Sequence, residues 1–133
     1  MNNYQKAIEN SNIVSKTDIN GIITFVNDEF CNLFGFKKDE LIGKNHNIIR
    51  HPDTPKENFE LLWNTILDKK VYKSTVKNIS KNGEDIYLNT TIIPILDEKE
   101  ENIVEFVAIR YDITNEVLLQ KELEEKQKII FLQ

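Results

Sequence analysis

Residues 103–113 constrain the fold more than any other stretch. Read as a strand, they place Val104, Phe106 and Ala108 on one face and Ile103, Val107, Ile109 and Tyr111 on the other, because successive side chains of a strand point to opposite sides. A strand apolar on both faces is covered on both, so this one is expected in the middle of a sheet. Four further strands are expected over Ile13–Thr17, 22–27, 71–80 and Asp85–Leu96. Asn20-Gly21 joins the first pair and Asn82-Gly83 the third and fourth, and Asn-Gly between apolar runs is the strongest short hairpin signal. The last three strands then form a meander, the first two a hairpin, and the fifth pairs beside the first. Lys73, Thr75 and Lys77 alternate with Tyr72, Ser74, Val76 and Asn78, which suits an edge strand with lysines towards solvent. Pro94 marks a bulge or a sheet exit.

Short helices fall between the second and third strands. Asp28 is placed to cap one over 28–34, with Phe30, Leu33 and Phe34 on one face and Gly35 as its stop. A further turn over 38–42 ends at Gly43. Thr54 and Glu57 have capping-box spacing, with Pro55 at the first helical position. Phe59, Leu62, Trp63, Ile66 and Leu67 then form one apolar stripe. The loop before this helix gathers His46, Arg50, His51 and Asp53, a plausible mouth for a ligand cavity. From Thr114, expected to be an N-cap, the pattern turns helical, with Leu119, Leu123 and Ile130 as a heptad-like seam. The fold class expected is α+β: a five-stranded antiparallel sheet, short helices on one face and a coiled-coil-like exit helix. The division expected is an N-terminal arm over 1–11 bearing Tyr4, Ala7 and Ile8, a domain over 12–113, and a linker helix over 114–133 that runs on into another domain.

Composition narrows the function. At 133 residues and 40% apolar content the chain suits one domain with its own core. A net charge of −5 argues against nucleic acid, which needs clustered cations. The single Cys31 fits a reducing compartment and a small buried role. No apolar run approaches the roughly 20 residues that span a bilayer, and the first residues form no signal peptide, so a cytoplasmic location is expected. No phosphate-cradling Gly-rich loop, nucleophile elbow or kinase signature occurs, and no cluster has zinc-ligand spacing. Neither a catalytic nor a metal site is expected, and any catalytic output is expected beyond Gln133.

Several segments together resemble the PAS sensor family. Residues 17–27 (Thr-Asp-Ile-Asn-Gly-Ile-Ile-Thr-Phe-Val-Asn) resemble its opening hairpin, and 34–43 (Phe-Gly-Phe-Lys-Lys-Asp-Glu-Leu-Ile-Gly) its short-helix signature. Lys81-Asn82-Gly83 resembles its turn, and Asp112-Ile113-Thr114 its junction to an output helix. Within the family, residues 45–53 (Asn-His-Asn-Ile-Ile-Arg-His-Pro-Asp), Trp63 and Val76-Lys77-Asn78 are similar to bacterial aerotaxis (energy-taxis) receptors. The resemblance implies FAD as cofactor, with redox, oxygen or energy state as the signal, in the N-terminal sensor of a bacterial chemotaxis receptor, histidine kinase or related protein. It implies a cofactor site of Asn27, Phe34, Asn47, Arg50, His51, Asp53, Trp63 and Tyr72. Phe25 and Phe106 join the aromatic slot, amides face the ring, and Arg50 and His51 face the phosphates, with Asp53 holding Arg50 or a ribose hydroxyl. Tyr72-Lys73-Ser74 stands where related flavin domains carry Trp-x-Gly. The partners implied are a homodimer through the N-terminal arm and exit helix and a downstream signalling domain, with no nucleic acid and no membrane in this segment. Two alternatives stand beside this: a cofactor-free dimerisation and coupling module, and a haem gas sensor using His46 or His51.

Overall fold

The structure, a computed structural model, describes residues 3, 4, 6 and 12–133. Asn3, Tyr4 and Lys6 are helical; the rest of the N-terminal arm, including Ala7 and Ile8, lies outside the described residues. The elements are β1 (Ile13–Thr17), β2 (Ile23–Val26), α1 (Asp28–Phe34), α2 (Lys38–Leu41), a 3-10 turn (His46–Ile49), α3 (Lys56–Leu67), β3 (Tyr72–Ile79), β4 (Asp85–Leu96), β5 (Ile103–Asp112) and α4 (Thr114–Leu132). The sheet is antiparallel with strand order β2-β1-β5-β4-β3. The central β5, the β1–β5 pairing and the lysine-bearing edge strand β3 therefore stand as the pattern predicts. Pro94 stays inside the β4–β5 ladder, and the register slips just after it, between Ile95 and Leu96.

One sheet face is built up into the core. The register Ile13–Arg110–Thr90 and Ser15–Ala108–Ile92 fixes which residues point to it. Phe30, Phe34, Leu41 and Ile49 from the short helices close on Ile13, Ile23, Val26, Ile86 and Leu88. Phe30 and Phe34 meet at 4.7 Å between ring centroids. Among the described residues β5 is covered more heavily on one face than the other, where its composition suggests equal cover. Phe106, Ala108 and Arg110 are buried, whereas Val107 and Ile109 are half-buried and Tyr111 is exposed. The exit helix meets the sheet at Tyr87, near the start of β4.

Three caps differ from expectation. Asn27, not Asp28, caps α1: its Oδ1 accepts from Phe30 N–H at 3.0 Å. The same oxygen accepts from Val14 N–H at 3.1 Å, and Nδ2 donates to the Asn12 carbonyl at 2.6 Å. One buried amide thus ties β1 to α1, a tie that an aspartate one residue later cannot reach. Replacing Asn27 with Ala strips partners from these buried backbone groups and is expected to cost about 2 kcal/mol, read by urea unfolding. In α3 the N-cap position falls to Pro55 with no side-chain cap. The reason is local: Thr54 N–H closes a turn onto the His51 carbonyl at 3.1 Å, so Thr54 sits one residue too early. In α4 the cap position is Ile113. Thr114 is drawn away by Asp112, to which its hydroxyl donates at 2.6 Å.

Candidate functional site

Between the inner sheet face and the 3-10 turn and α3 lies a cavity of about 140 Å³. The apolar stripe of α3 makes its roof. Trp63 crosses Phe106 edge-on at 6.0 Å and Phe59 at 6.2 Å. Leu62, Ile66 and Ile92 complete the apolar wall. Gly21 lets the indole in: its φ of +81° is the left-handed value of the Asn-Gly turn, and a Cβ there would meet Trp63 at 3.2 Å.

The polar groups of the cavity come mainly from residues given no place in the expected site. Arg110 is only 3% exposed. It donates to Ser15 Oγ at 3.1 Å and to His46 Nε2 at 2.9 Å, and its guanidinium lies 5.5 Å from the Phe30 ring centroid. Ser15 Oγ is also 3.0 Å from His46 Nε2. Because Arg110 can only donate, His46 Nε2 accepts and the ring is neutral. Burial, reinforced by the adjacent guanidinium, holds His46 down at about 3. Burial likewise pulls Arg110 down to about 9. Among the described residues no carboxylate pairs with Arg110, so it is a buried cation balanced by neutral acceptors alone. Asn78 adds a second imbalance: Nδ2 donates to the Ile49 carbonyl at 3.1 Å, while its buried Oδ1 has no partner.

The expected site residues divide. Asn47, Arg50, Trp63 and the additional Phe106 line the cavity. Arg50 stacks 4.0 Å over Phe59 at the mouth. The others serve elsewhere. Asn27 is committed to capping α1, and Phe34 and Phe25 do not reach the cavity: Phe34 is solid core, and Phe25 pairs with Lys16 on the outer face. Tyr72 lies at the start of β3, outside the lining. His51 is turned away: Nδ1 accepts from Asp53 N–H at 3.0 Å, and Nε2–H donates to Asp85 at 2.8 Å. Asp53 pairs with Lys77 at 3.7 Å rather than with Arg50. The register that puts Phe106 and Ala108 inward also puts Arg110 inward. A charge near a strand end reads as exposed, and that is why the sequence pattern passes over it. Cys31 lies on α1, outside the cavity lining, its thiol pushed up by burial. Among the described residues no group of three His, Cys, Asp or Glu side chains could hold a metal ion.

A five-stranded antiparallel sheet with short helices enclosing a side-chain-lined cavity, and a helix leaving from the last strand, defines a sensor-type domain. The PAS domain family profile matches residues 10–115, and the chain belongs to that family. It is 32% identical over 114 residues to the aerotaxis receptor of Escherichia coli strain K12, covering 86% of this chain and 22% of the receptor. It is 37% identical over 105 residues to a blue-light photoreceptor of Listeria innocua, covering 79% of this chain and 41% of the photoreceptor. The chain thus spans about a fifth of the first relative and two fifths of the second. Among solved structures, the LOV domain of a blue-light activated histidine kinase from Erythrobacter litoralis superposes with TM-score 0.70 at 22% identity, covering 77% of this chain and 96% of that one. A PAS domain from Colwellia psychrerythraea gives 0.75 at 21% identity, covering 84% and 95%. Among the described residues no helix is long and apolar enough to cross a membrane.

Proposed function

We propose that this domain is the cytoplasmic input module of a bacterial signal-transduction protein. It reads redox, oxygen or energy state through a flavin, with FAD the first choice, and passes the state to α4. The observation that carries this reading is the polar imbalance of the cavity. An aromatic slot contains one buried acceptor without a donor, Asn78 Oδ1, and one buried cation without an anion, Arg110. The pyrimidine edge of a flavin offers an N–H donor flanked by carbonyl acceptors, which fits that pair. Trp63 and Phe106 supply apolar walls for the ring. Arg50, at the mouth, suits a phosphate of the dinucleotide tail. The ring supplies the redox chemistry when bound; the protein's part is to hold it dry and to register its charge. The aerotaxis relative favours redox sensing. Cys31, away from the cavity, can make no thiol bond to a ligand there.

The haem alternative finds less support, because both nitrogens of His51 and Nε2 of His46 are already engaged. The coupling-module alternative draws on α4, whose Leu119, Leu123 and Ile130 are exposed; pairing with a second copy would cover them, and it is compatible with a flavin-bound sensor. An absorbance spectrum separates the readings. Purified protein, or protein mixed with FAD, is expected to show the flavin bands. Asn78→Leu and Arg50→Ala are each expected to weaken FAD uptake about tenfold. Loss of FAD but not FMN affinity in Arg50→Ala would support the dinucleotide. Protein that stays colourless with both flavins removes the redox reading.

A further inference from the structure

The exit helix α4 buries no residue fully, and several polar contacts tie it to the domain. These converge on one residue. The Tyr87 carbonyl accepts from Ile113 N–H at 2.9 Å, and its N–H donates to Thr114 Oγ1 at 3.0 Å. Its phenol oxygen accepts from Lys121 Nζ at 2.8 Å, and that ammonium lies 4.8 Å from the ring centroid. Lys121 sits two turns into α4, so this contact sets the angle of the helix rather than its origin.

Two residues before Tyr87 on the same strand face is Asp85, and it has competing claimants. His51 Nε2–H donates to Oδ1 at 2.8 Å, and Lys77 Nζ lies 3.6 Å from Oδ2. Lys77 also lies 5.9 Å from the Tyr87 ring centroid. Lys121 is held above its ordinary range first by the Tyr87 hydrogen bond, with the Asp85 charge a smaller contributor. On the other side, His51 adjoins Arg50 at the cavity mouth. It is pinned into its turn by the Asp53 N–H, so it belongs to the Arg50–Asp53 turn at the cavity mouth, which forms the gate.

We propose that Asp85 and Tyr87 form a latch in which His51 occupies Asp85 while the gate is closed, leaving Lys121 on Tyr87, and that displacement of the gate frees Asp85 to take Lys121 and re-angle α4. Both arrangements satisfy the ammonium, which is what a two-state element requires. The contact that changes is one proton donor for another on a single carboxylate. The sensor reading supplies only the direction of the signal; the latch itself is testable on protein without flavin.

The test is amide hydrogen exchange over residues 115–125 in the unliganded domain, with near-neutral buffer and urea unfolding as a fold control. Tyr87→Phe and Lys121→Met are each expected to raise exchange there about fivefold, and the double variant no further, since both remove one contact. His51→Ala is expected to raise exchange in α4 by a similar factor, although it touches no residue of that helix. Asp85→Asn is expected to leave α4 near wild type and to abolish the effect of His51→Ala. The last comparison carries the weight. If His51→Ala acts equally with and without the Asp85→Asn change, or does not reach α4, the latch is wrong. If His51→Ala unfolds the domain, Lys77→Met, which removes the other claimant on Asp85, is expected to raise α4 exchange in the same Asp85-dependent way, and independence from Asp85 overturns the proposal. Failure to bind FAD leaves each of these outcomes readable.

Discussion

Lowering the pH from 6.5 towards 3 is expected to remove up to about 5 kcal/mol of folding stability through His46 alone. The ring titrates at 6.5 in the unfolded chain and at about 3 in the folded one. Between those values the unfolded state binds a proton that the folded state refuses. The contribution is complete above pH 6.5, falls as the pH drops, and ends near pH 3. His46 is only half-buried by surface area, which reduces the figure, so about 2 kcal/mol between pH 6.5 and 4.5 is the effect to look for. Asp85 and Asp97 also lose stabilising partnerships in acid, because hydrogen bonds hold both below their usual 3.8. Their losses, and that of Glu40, which its Lys81 hydrogen bond holds below the usual 4.5, begin as the pH falls through the ordinary carboxylate range, which leaves the upper part of the window to His46. Urea unfolding across that window checks this against His46→Gln, whose carbonyl can still accept from Arg110. The variant is expected to lose the slope; parallel profiles would show that His46 is already charged in the fold.

Arg110→Met is expected to hold or raise the stability of the unliganded domain, by about 1–3 kcal/mol, while abolishing flavin uptake. A buried guanidinium without an anion has lost its hydration for hydrogen bonds to neutral acceptors only. A methionine of similar length avoids that cost and leaves the Ser15–His46 contact in place. The same change removes the charge that helps hold His46 down, so the His46 titration, followed by NMR, is expected to move up. A variant both more stable and unable to bind would identify Arg110 as kept for its ligand. A variant that unfolds would instead make it a structural strut.

How much of this can be read in the sequence depends on the range of the forces involved. Strand order and the edge position of β3 follow from alternation and turn chemistry, which act over a few residues. The apolar roof of the cavity follows from the stripe on α3 in the same way. The caps do not, because the contest between Asn27 and Asp28 is decided by Asn12 and Val14, residues brought near only by the sheet. Nor does the role of His51: its sequence neighbours suggest a ligand contact, yet a carboxylate 34 positions away takes its Nε2. Arg110 is the instructive case: alternation puts it on the face of Phe106 and Ala108, but that this face is the inner one, and that Ser15 and His46 are its neighbours, required the β1–β5 ladder.

That ladder has one more consequence. Ile13 stands opposite Arg110, so the chain enters and leaves the domain through adjoining rails at the same end. A unit suspended in this manner can be spliced between other modules like a bead with both threads through one hole. A small twist of the middle rails turns incoming and outgoing segments together, with no need for a message to cross the body of the bead.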